Sequence, residues 1–354
     1  MRLFECGHCE QTLYFENDQC TTCGSAQGFD PGQRELLTLA PGDDGDWHHP
    51  GTTSQVFFYC INSEHQACNW LVPRPGELCT ACRHNRTIPN LSDPRQQSLW
   101  RKIEQAKHRL FYSLLRFNLP LRTKQEAPHN GLAFDFVGNP NPEFRESKSV
   151  MTGHAEGLIT LDIAEADPAE RERQRLTMAE PYRTLLGHFR HEIGHYYWAL
   201  LVSEGPWLEP CRALFGDDRR DYSDALAAHY QNGPPPDWPA HYVSAYATSH
   251  PWEDWAESWA HYFHIVDTLE TAYHFGLKVD PKHVGAEGMR SHPKFDPYHE
   301  ADFDRIIKAW FPITFAVNSL NRSMGQPDLY PFVLSDDALE KLDFVHRLIH
   351  NRKA

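Results

Sequence analysis

The run Leu185-Leu186-Gly187-His188-Phe189-Arg190-His191-Glu192-Ile193-Gly194-His195-Tyr196-Tyr197-Trp198-Ala199-Leu200-Leu201 holds an H-E-x-x-H pattern inside a segment of helical periodicity. On an α-helix, a four-residue step turns the second histidine by only about 40° from the first, so His191 and His195 can reach one metal ion. Leu186, Phe189, Ile193, Tyr197 and Leu200 fall on the opposite side, which predicts a helix with a core face and a ligand face. Glu192 stands between the histidines, where its carboxylate can take a proton from a metal-activated water rather than bind the ion. His188 also lies near the ligand face, but its three-residue step from His191 suits a solvent or supporting role better than ligation.

A catalytic zinc takes three protein ligands and keeps one position open. The extended metzincin pattern would need Gly and His after His195, and Trp198 and Leu201 stand there instead. A second helix is predicted from His250-Pro251-Trp252-Glu253-Asp254-Trp255-Ala256-Glu257, with Pro251 in its first turn. Glu253 and Glu257 share one face, and Trp255, Trp259, Tyr262 and Val266 share the other. Glu253 fits as the third ligand, and Glu257, one turn on, can hold the free ring nitrogen of a ligating histidine. His261, Asp254 and His250 are the reserve candidates.

H-E-x-x-H followed 58 residues beyond His195 by E-x-x-x-E on a helix resembles the gluzincin clan, which includes thermolysin and the lethal-factor toxins. In that clan the first acid of the downstream pair binds zinc and the second supports a histidine, which implies those roles for Glu253 and Glu257. Gly153-His154-Ala155-Glu156-Gly157, Tyr182 to His191 and Glu253-Asp254-Trp255-Ala256-Glu257 more closely resemble a family of bacterial zinc-binding metallopeptidases with an N-terminal zinc ribbon. The likeness runs over nearly the whole chain. Tyr246 precedes Glu253 by seven residues, the offset at which lethal-factor-like enzymes carry a transition-state tyrosine. The resemblance thus implies an oxyanion donor at Tyr246; a packing tyrosine is the alternative, and Tyr242 is its rival. It also implies that the strand Leu158 to Ile163 is an edge strand that pairs with extended substrate, with His154 at its entrance. The segment Asn318 to Pro331 resembles the same family, and packing is its expected role.

Eight of the nine cysteines lie near the N-terminus. Cys6-x2-Cys9 with Cys20-x2-Cys23 is a pair of thiolate knuckles suited to tetrahedral zinc, and Cys60-x7-Cys68 with Cys79-x2-Cys82 supplies a looser second set. His65 could replace a cysteine there. Spacing leaves open whether the two sites are sequential or interleaved, and whether a rubredoxin-like set holds iron. Four thiolates close a zinc site, so both are expected to be structural. Cys211 is left over as a buried thiol.

Residues 1–92 have no long periodic helix and read as a metal-stapled module. Asp93 and Pro94 then cap and open an amphipathic helix on Leu99, Ile103, Ala106, Leu110, Leu114 and Phe117. Phe134 to Val137 and Gly157 to Ile163 read as strands of one small sheet. Helices dominate from Tyr182 onward, interrupted at Asn232-Gly233-Pro234-Pro235-Pro236. The expected fold is α+β: a gluzincin-like zincin domain over residues 93–354 behind a double zinc-ribbon module over 1–92.

The formal charge of -14 makes nucleic acid a poor partner. No run approaches a membrane span, the start Met1-Arg2-Leu3-Phe4-Glu5-Cys6 has no apolar leader core, and clustered thiols suit a reducing compartment, so a cytoplasmic protein is expected. The expected activity is zinc-dependent hydrolysis of a peptide or isopeptide bond in a peptide or protein substrate, with one catalytic and two structural zinc ions. The rival is a zinc-ribbon adaptor for protein or nucleic acid with an inactive peptidase-like domain; the intact Glu192 weighs against it. The ribbons could also dock a protein partner.

Overall fold

The computed structural model describes residues 1–51, 55–138, 153–177, 182–282, 285 and 287–351. The chain forms two compact units, Met1–Thr177 and Met178–Ala354. Every named strand belongs to the first.

The first unit begins with short strands β1 (Phe4–Glu5) and β2 (Thr12–Leu13), which pair as a hairpin. Strands β3 (Ala26–Asp30), β4 (Glu35–Pro41), β5 (Trp47–His48), β6 (Val56–Tyr59) and β7 (Leu71–Val72) follow as one antiparallel sheet in chain order. Such short strands bury little, and Leu37, Leu39, Phe57 and Leu71 make only a small cluster. The first helix, α1 (Pro94–Arg116), supplies the missing cover. Asp93 caps it by accepting from the Arg95 and Gln96 N–H groups, which confirms the predicted start. Its Tyr112 packs edge-on to Phe15, which in turn meets Phe29, and Phe29 lies 4.8 Å from Trp70. The helix after the ribbon cysteines therefore shares a core with them.

Strands β8 (Asn85–Thr87), β9 (Ala133–Val137), β10 (Gly153–Ala155) and β11 (Leu158–Asp162) form a second sheet in the order β10-β11-β9-β8. The two strands expected from sequence do share it, as parallel neighbours with Ile159 opposite Phe134. The edge-strand expectation for Leu158 to Ile163 is corrected: β11 is flanked by β9 and β10, because the chain reverses at Glu156-Gly157 and β10 pairs along its other side. His154 serves that reversal by accepting the Gly157 N–H at 2.9 Å. A short helix, α2 (Pro168–Thr177), closes the unit.

The second unit is built on helices α3 (Leu185–Leu201), α4 (Leu208–Phe215), α5 (Tyr222–Asn232), α6 (Pro251–His274), α7 (Phe303–Ser323) and α8 (Asp336–His350). Gly233, at φ 73°, stops α5 where the Pro-rich loop begins. Helix α6 is the axis, with α3, α4, α7 and α8 packed around it. Seventeen of its 24 residues are buried, so the two-faced helix read from its sequence is in fact enclosed on nearly all sides. Further polar residues of the helix are paired inside: Asp254 with Lys341 of α8 at 2.6 Å, and Asp267 with Arg190 of α3 at 2.6 Å. Aromatic rings fill the rest, with Trp259 stacked between Tyr197 and Phe263.

Helices α3 and α6 come into close contact at Gly194. A Cβ there would stand 3.1 Å from the Ala256 Cα and 3.2 Å from the Trp259 Cβ, and the Trp255 indole donates to the Gly194 carbonyl at 2.8 Å. Glycine inside a helix costs about 1 kcal/mol relative to alanine, and overpacking a tight contact costs about 1–3 kcal/mol. Gly194→Ala should therefore destabilise by up to about 2 kcal/mol in denaturant unfolding, despite its better helix propensity. Equal or raised stability would show that the helices can separate without loss.

Candidate metal centre

Helix α3 is capped by Thr184, whose hydroxyl accepts the Gly187 N–H at 3.0 Å. One turn later it presents His191 and His195, with ring centroids 4.9 Å apart. Helix α6 starts at His250, whose Nδ1 accepts the Trp252 N–H, and Pro251 holds its first turn. That start fixes Glu253 directly opposite the histidines. Glu253 Oε2 lies 2.9 Å from His191 Nε2 and 3.5 Å from His195 Nε2. The three side chains offer one donor atom each within 4.8 Å of one another, all buried or nearly so.

Glu257 stands one turn further along α6, 2.8 Å from His191 Nδ1. A carboxylate only accepts, so Nδ1 carries a proton toward Glu257, and Nε2 is the atom that faces Glu253 and His195, where a metal ion would take the place of its proton. The Ser244 hydroxyl donates to the second oxygen of Glu257 at 2.5 Å. On the other side, the Tyr222 hydroxyl donates to Glu253 Oε1 at 2.7 Å, leaving Oε2 for the histidines. Trp252 lies against the His195 ring at 4.0 Å between centroids. Burial works against charge on His191, but the two facing carboxylates outweigh it and hold its pKa well above the ordinary value, while Glu253 is held well below. The same field attracts a cation.

Glu192 is buried beside this cluster. His188, one turn earlier, donates to its Oε1 at 3.2 Å. Burial alone would raise its pKa; that hydrogen bond and the neighbouring imidazoles bring it down to about 2. Its other oxygen, Oε2, is buried with no hydrogen-bond partner among the described residues. Three converging donors of the types that zinc accepts, next to an unsatisfied carboxylate oxygen, fit a metal that carries a water.

The reserve candidates face elsewhere. Asp254 pairs with Lys341, and burial pushes its pKa up to about 7. The ring nitrogens of His250 are engaged by the Trp252 N–H and the Arg220 carbonyl. His261 lies 2.6 Å from the Tyr330 hydroxyl. Tyr330 is itself clamped by Asn318, which donates to its carbonyl at 2.8 Å and accepts from its N–H at 3.0 Å, so the segment 318–331 has a definite packing role. Tyr246 lies beside the centre, its ring 5.9 Å from that of His191, whereas Tyr242 sits under the Lys341 ammonium at 4.2 Å. Tyr222, Ser244 and Trp252 carry no spacing signal, and sequence reasoning missed them. Cys211 is buried, with its thiol pushed up to about 12 by that burial.

In the first unit the cysteines group sequentially. Cys6, Cys9, Cys20 and Cys23 form one cluster and Cys60, Cys68, Cys79 and Cys82 the other. Sulfur separations of 3.7 Å for Cys6–Cys23 and 3.6 Å for Cys9–Cys20 match a tetrahedron with bonds of about 2.3 Å. His65 joins neither; its ring packs against Trp100.

Residues 96–348 match a protein family described as "putative zinc-binding metallo-peptidase", and residues 3–93 match a zinc-ribbon domain. The chain belongs to that metallopeptidase family. An uncharacterised protein of Mycobacterium tuberculosis strain H37Rv is 44% identical over 354 residues, spanning 99% of this chain and 95% of its own. Uncharacterised proteins of Mycobacterium tuberculosis strain CDC 1551 and of Mycobacterium bovis are similar to the same extent. No solved structure matches the chain. Membership and the two four-cysteine clusters make this a zinc-binding protein. Among the described residues no helix is long and apolar enough to cross a membrane.

The buried His261 gives a pH test of the packing behind the centre. Burial lowers its pKa to about 4, against about 6.5 in an unfolded chain. A depressed histidine contributes stability that is full above pH 6.5 and lost as pH falls toward 4, because only the unfolded chain takes the proton. His261→Asn should therefore flatten the decline in unfolding free energy between pH 6.5 and 4 by up to about 1.4 kcal/mol per pH unit. An unchanged slope would mean that His261 is already protonated in the fold.

Proposed function

We infer that the chain is a gluzincin-type peptidase that hydrolyses a peptide or isopeptide bond in a peptide or protein substrate, with His191, His195 and Glu253 as the zinc ligands and Glu192 as the general base. The observation that carries this reading is the buried, unpartnered Glu192 Oε2 beside three converging donors. Bound zinc supplies Lewis acidity, polarising the scissile carbonyl and lowering the pKa of the attacking water to about 7.

The chain's own groups do the rest. Glu192 takes the water proton on Oε2 and passes it to the leaving amine, while His188 fixes its other oxygen. Glu257, held by Ser244, keeps His191 in the ligating tautomer. Tyr246 donates to the carbonyl oxygen as it gains charge, and Tyr222 orients Glu253 from the outside. The ribbons are structural, and their reduced thiolates suit the cytoplasm.

Purified protein should contain about three zinc ions per chain by the four-donor rule. Glu192→Gln should keep all three and lose peptidase turnover by roughly 10²- to 10⁴-fold. Glu253→Ala should lose one zinc. A Glu192→Gln protein with normal chelator-sensitive turnover would remove the mechanism.

The two tyrosines separate by phenotype. Tyr246→Phe should lower kcat by roughly 10²- to 10³-fold with KM little changed. Tyr222→Phe should chiefly weaken zinc binding, by about 10-fold, since it acts through a ligand. Near-normal turnover in Tyr246→Phe would leave that residue as packing.

A further inference from the structure

The second cysteine cluster has a neighbour that the ribbon motif does not contain. His108, on α1 and fully enclosed, places Nε2 3.3 Å from Cys68 Sγ, 3.6 Å from Cys82 Sγ and 3.9 Å from Cys79 Sγ. Tetrahedral zinc, with bonds of about 2.0–2.1 Å to nitrogen and 2.3 Å to sulfur, separates such donors by about 3.5 Å. The three distances scatter around that value.

The protonation pattern of the ring agrees. His108 Nδ1 lies 2.6 Å from the Glu104 carbonyl, which can only accept, so Nδ1 carries a proton and Nε2 is the atom turned toward the three sulfurs, where a metal ion could take its lone pair. This is how a ligating histidine is usually oriented. Trp70 packs against the ring at 5.1 Å and fixes its plane. Glu104 is close to Cys82 as well, but its Oε1 is held by the Lys107 ammonium at 2.8 Å and by the Asn85 amide at 2.9 Å, so its charge is already balanced without a metal.

The cluster therefore has five donors for the four places of zinc. His108 touches three of the sulfurs, and Cys60 is the fourth, tied into the loop by the Cys79 N–H at 3.3 Å. Cys68, Cys79 and Cys82 would supply three of the four donors of a tetrahedral zinc, and the fourth place would be open to either Cys60 or His108. We propose that His108 is a reserve ligand of the second zinc, competing with Cys60 for one coordination place across the triangle of Cys68, Cys79 and Cys82. The site then keeps its ion when the Cys60 thiolate is lost, because a helix outside the ribbon motif supplies the replacement.

The test is metal content of the full chain. Cys60→Ser and His108→Ala should each retain the zinc content of the wild type, and the double variant should contain one zinc fewer. Loss of one ion from Cys60→Ser alone, or a double variant that keeps its full content, would overturn the proposal. Cadmium-113 NMR of Cys60→Ser provides a reading that does not depend on the double variant folding. The second-site resonance should move from a four-sulfur to a three-sulfur, one-nitrogen position and show scalar coupling to the Nε2 of labelled His108. A resonance without that coupling would assign the imidazole to hydrogen bonding with the thiolates and end its role as a ligand.

Discussion

The approach of α3 to α6 at Gly194 sets the geometry of the second unit. Without a side chain at that position, the α6 backbone at Ala256 comes into direct contact with α3, and the Trp255 indole ties to the Gly194 carbonyl. Residues on facing turns are then at hydrogen-bond distance rather than a side-chain layer apart. Glu253 meets both histidines, and Glu257 reaches behind His191. The glycine of the H-E-x-x-H run thus brings the acid to the base, although it has no functional group of its own.

This contact is held by polar groups that are deep inside the unit. Arg190 bridges to Asp267 one side of the crossing, and Lys341 reaches Asp254 from α8 on the other. Buried pairs of this kind add little net stability over apolar packing, but removing one partner is severe, since it strands a charge. Their effect is to specify register. A slide of α6 along α3 by one turn would break the Arg190–Asp267 pair and carry Glu253 away from His191, and Lys341 fixes α6 against α8 in the same way.

The local part of this arrangement was legible in the sequence. His191, Glu192 and His195 declare themselves by spacing, the α6 acids by their four-residue step, and the ribbon cysteines by their knuckles. Non-local contacts were not. Tyr222 reaches Glu253 across 31 residues and Ser244 reaches Glu257 across 13, and nothing in either neighbourhood marks them. The enclosure of α6 was missed for a different reason. Periodicity marks a single apolar stripe of Trp255, Trp259, Tyr262 and Val266, yet Asp254, His261 and Asp267 outside that stripe are paired inside as well. In the sheet, alternation identified β11 as a strand but could not say how many neighbours it has. His108 reads as one more polar position on an amphipathic helix until α1 is seen against the cysteines.

The two kinds of metal position respond differently to an empty state. Four clustered cysteines that give up their ion each take up a proton, and the cross-link that tied the loops of a small core goes with the ion. At the histidine-glutamate centre a proton on His191 can take the place of the ion, since the ring lies between the Glu253 and Glu257 carboxylates with the donors still in position. On the proposed reading, loss of zinc from this centre would stop catalysis while the contacts between α3 and α6 still hold the fold.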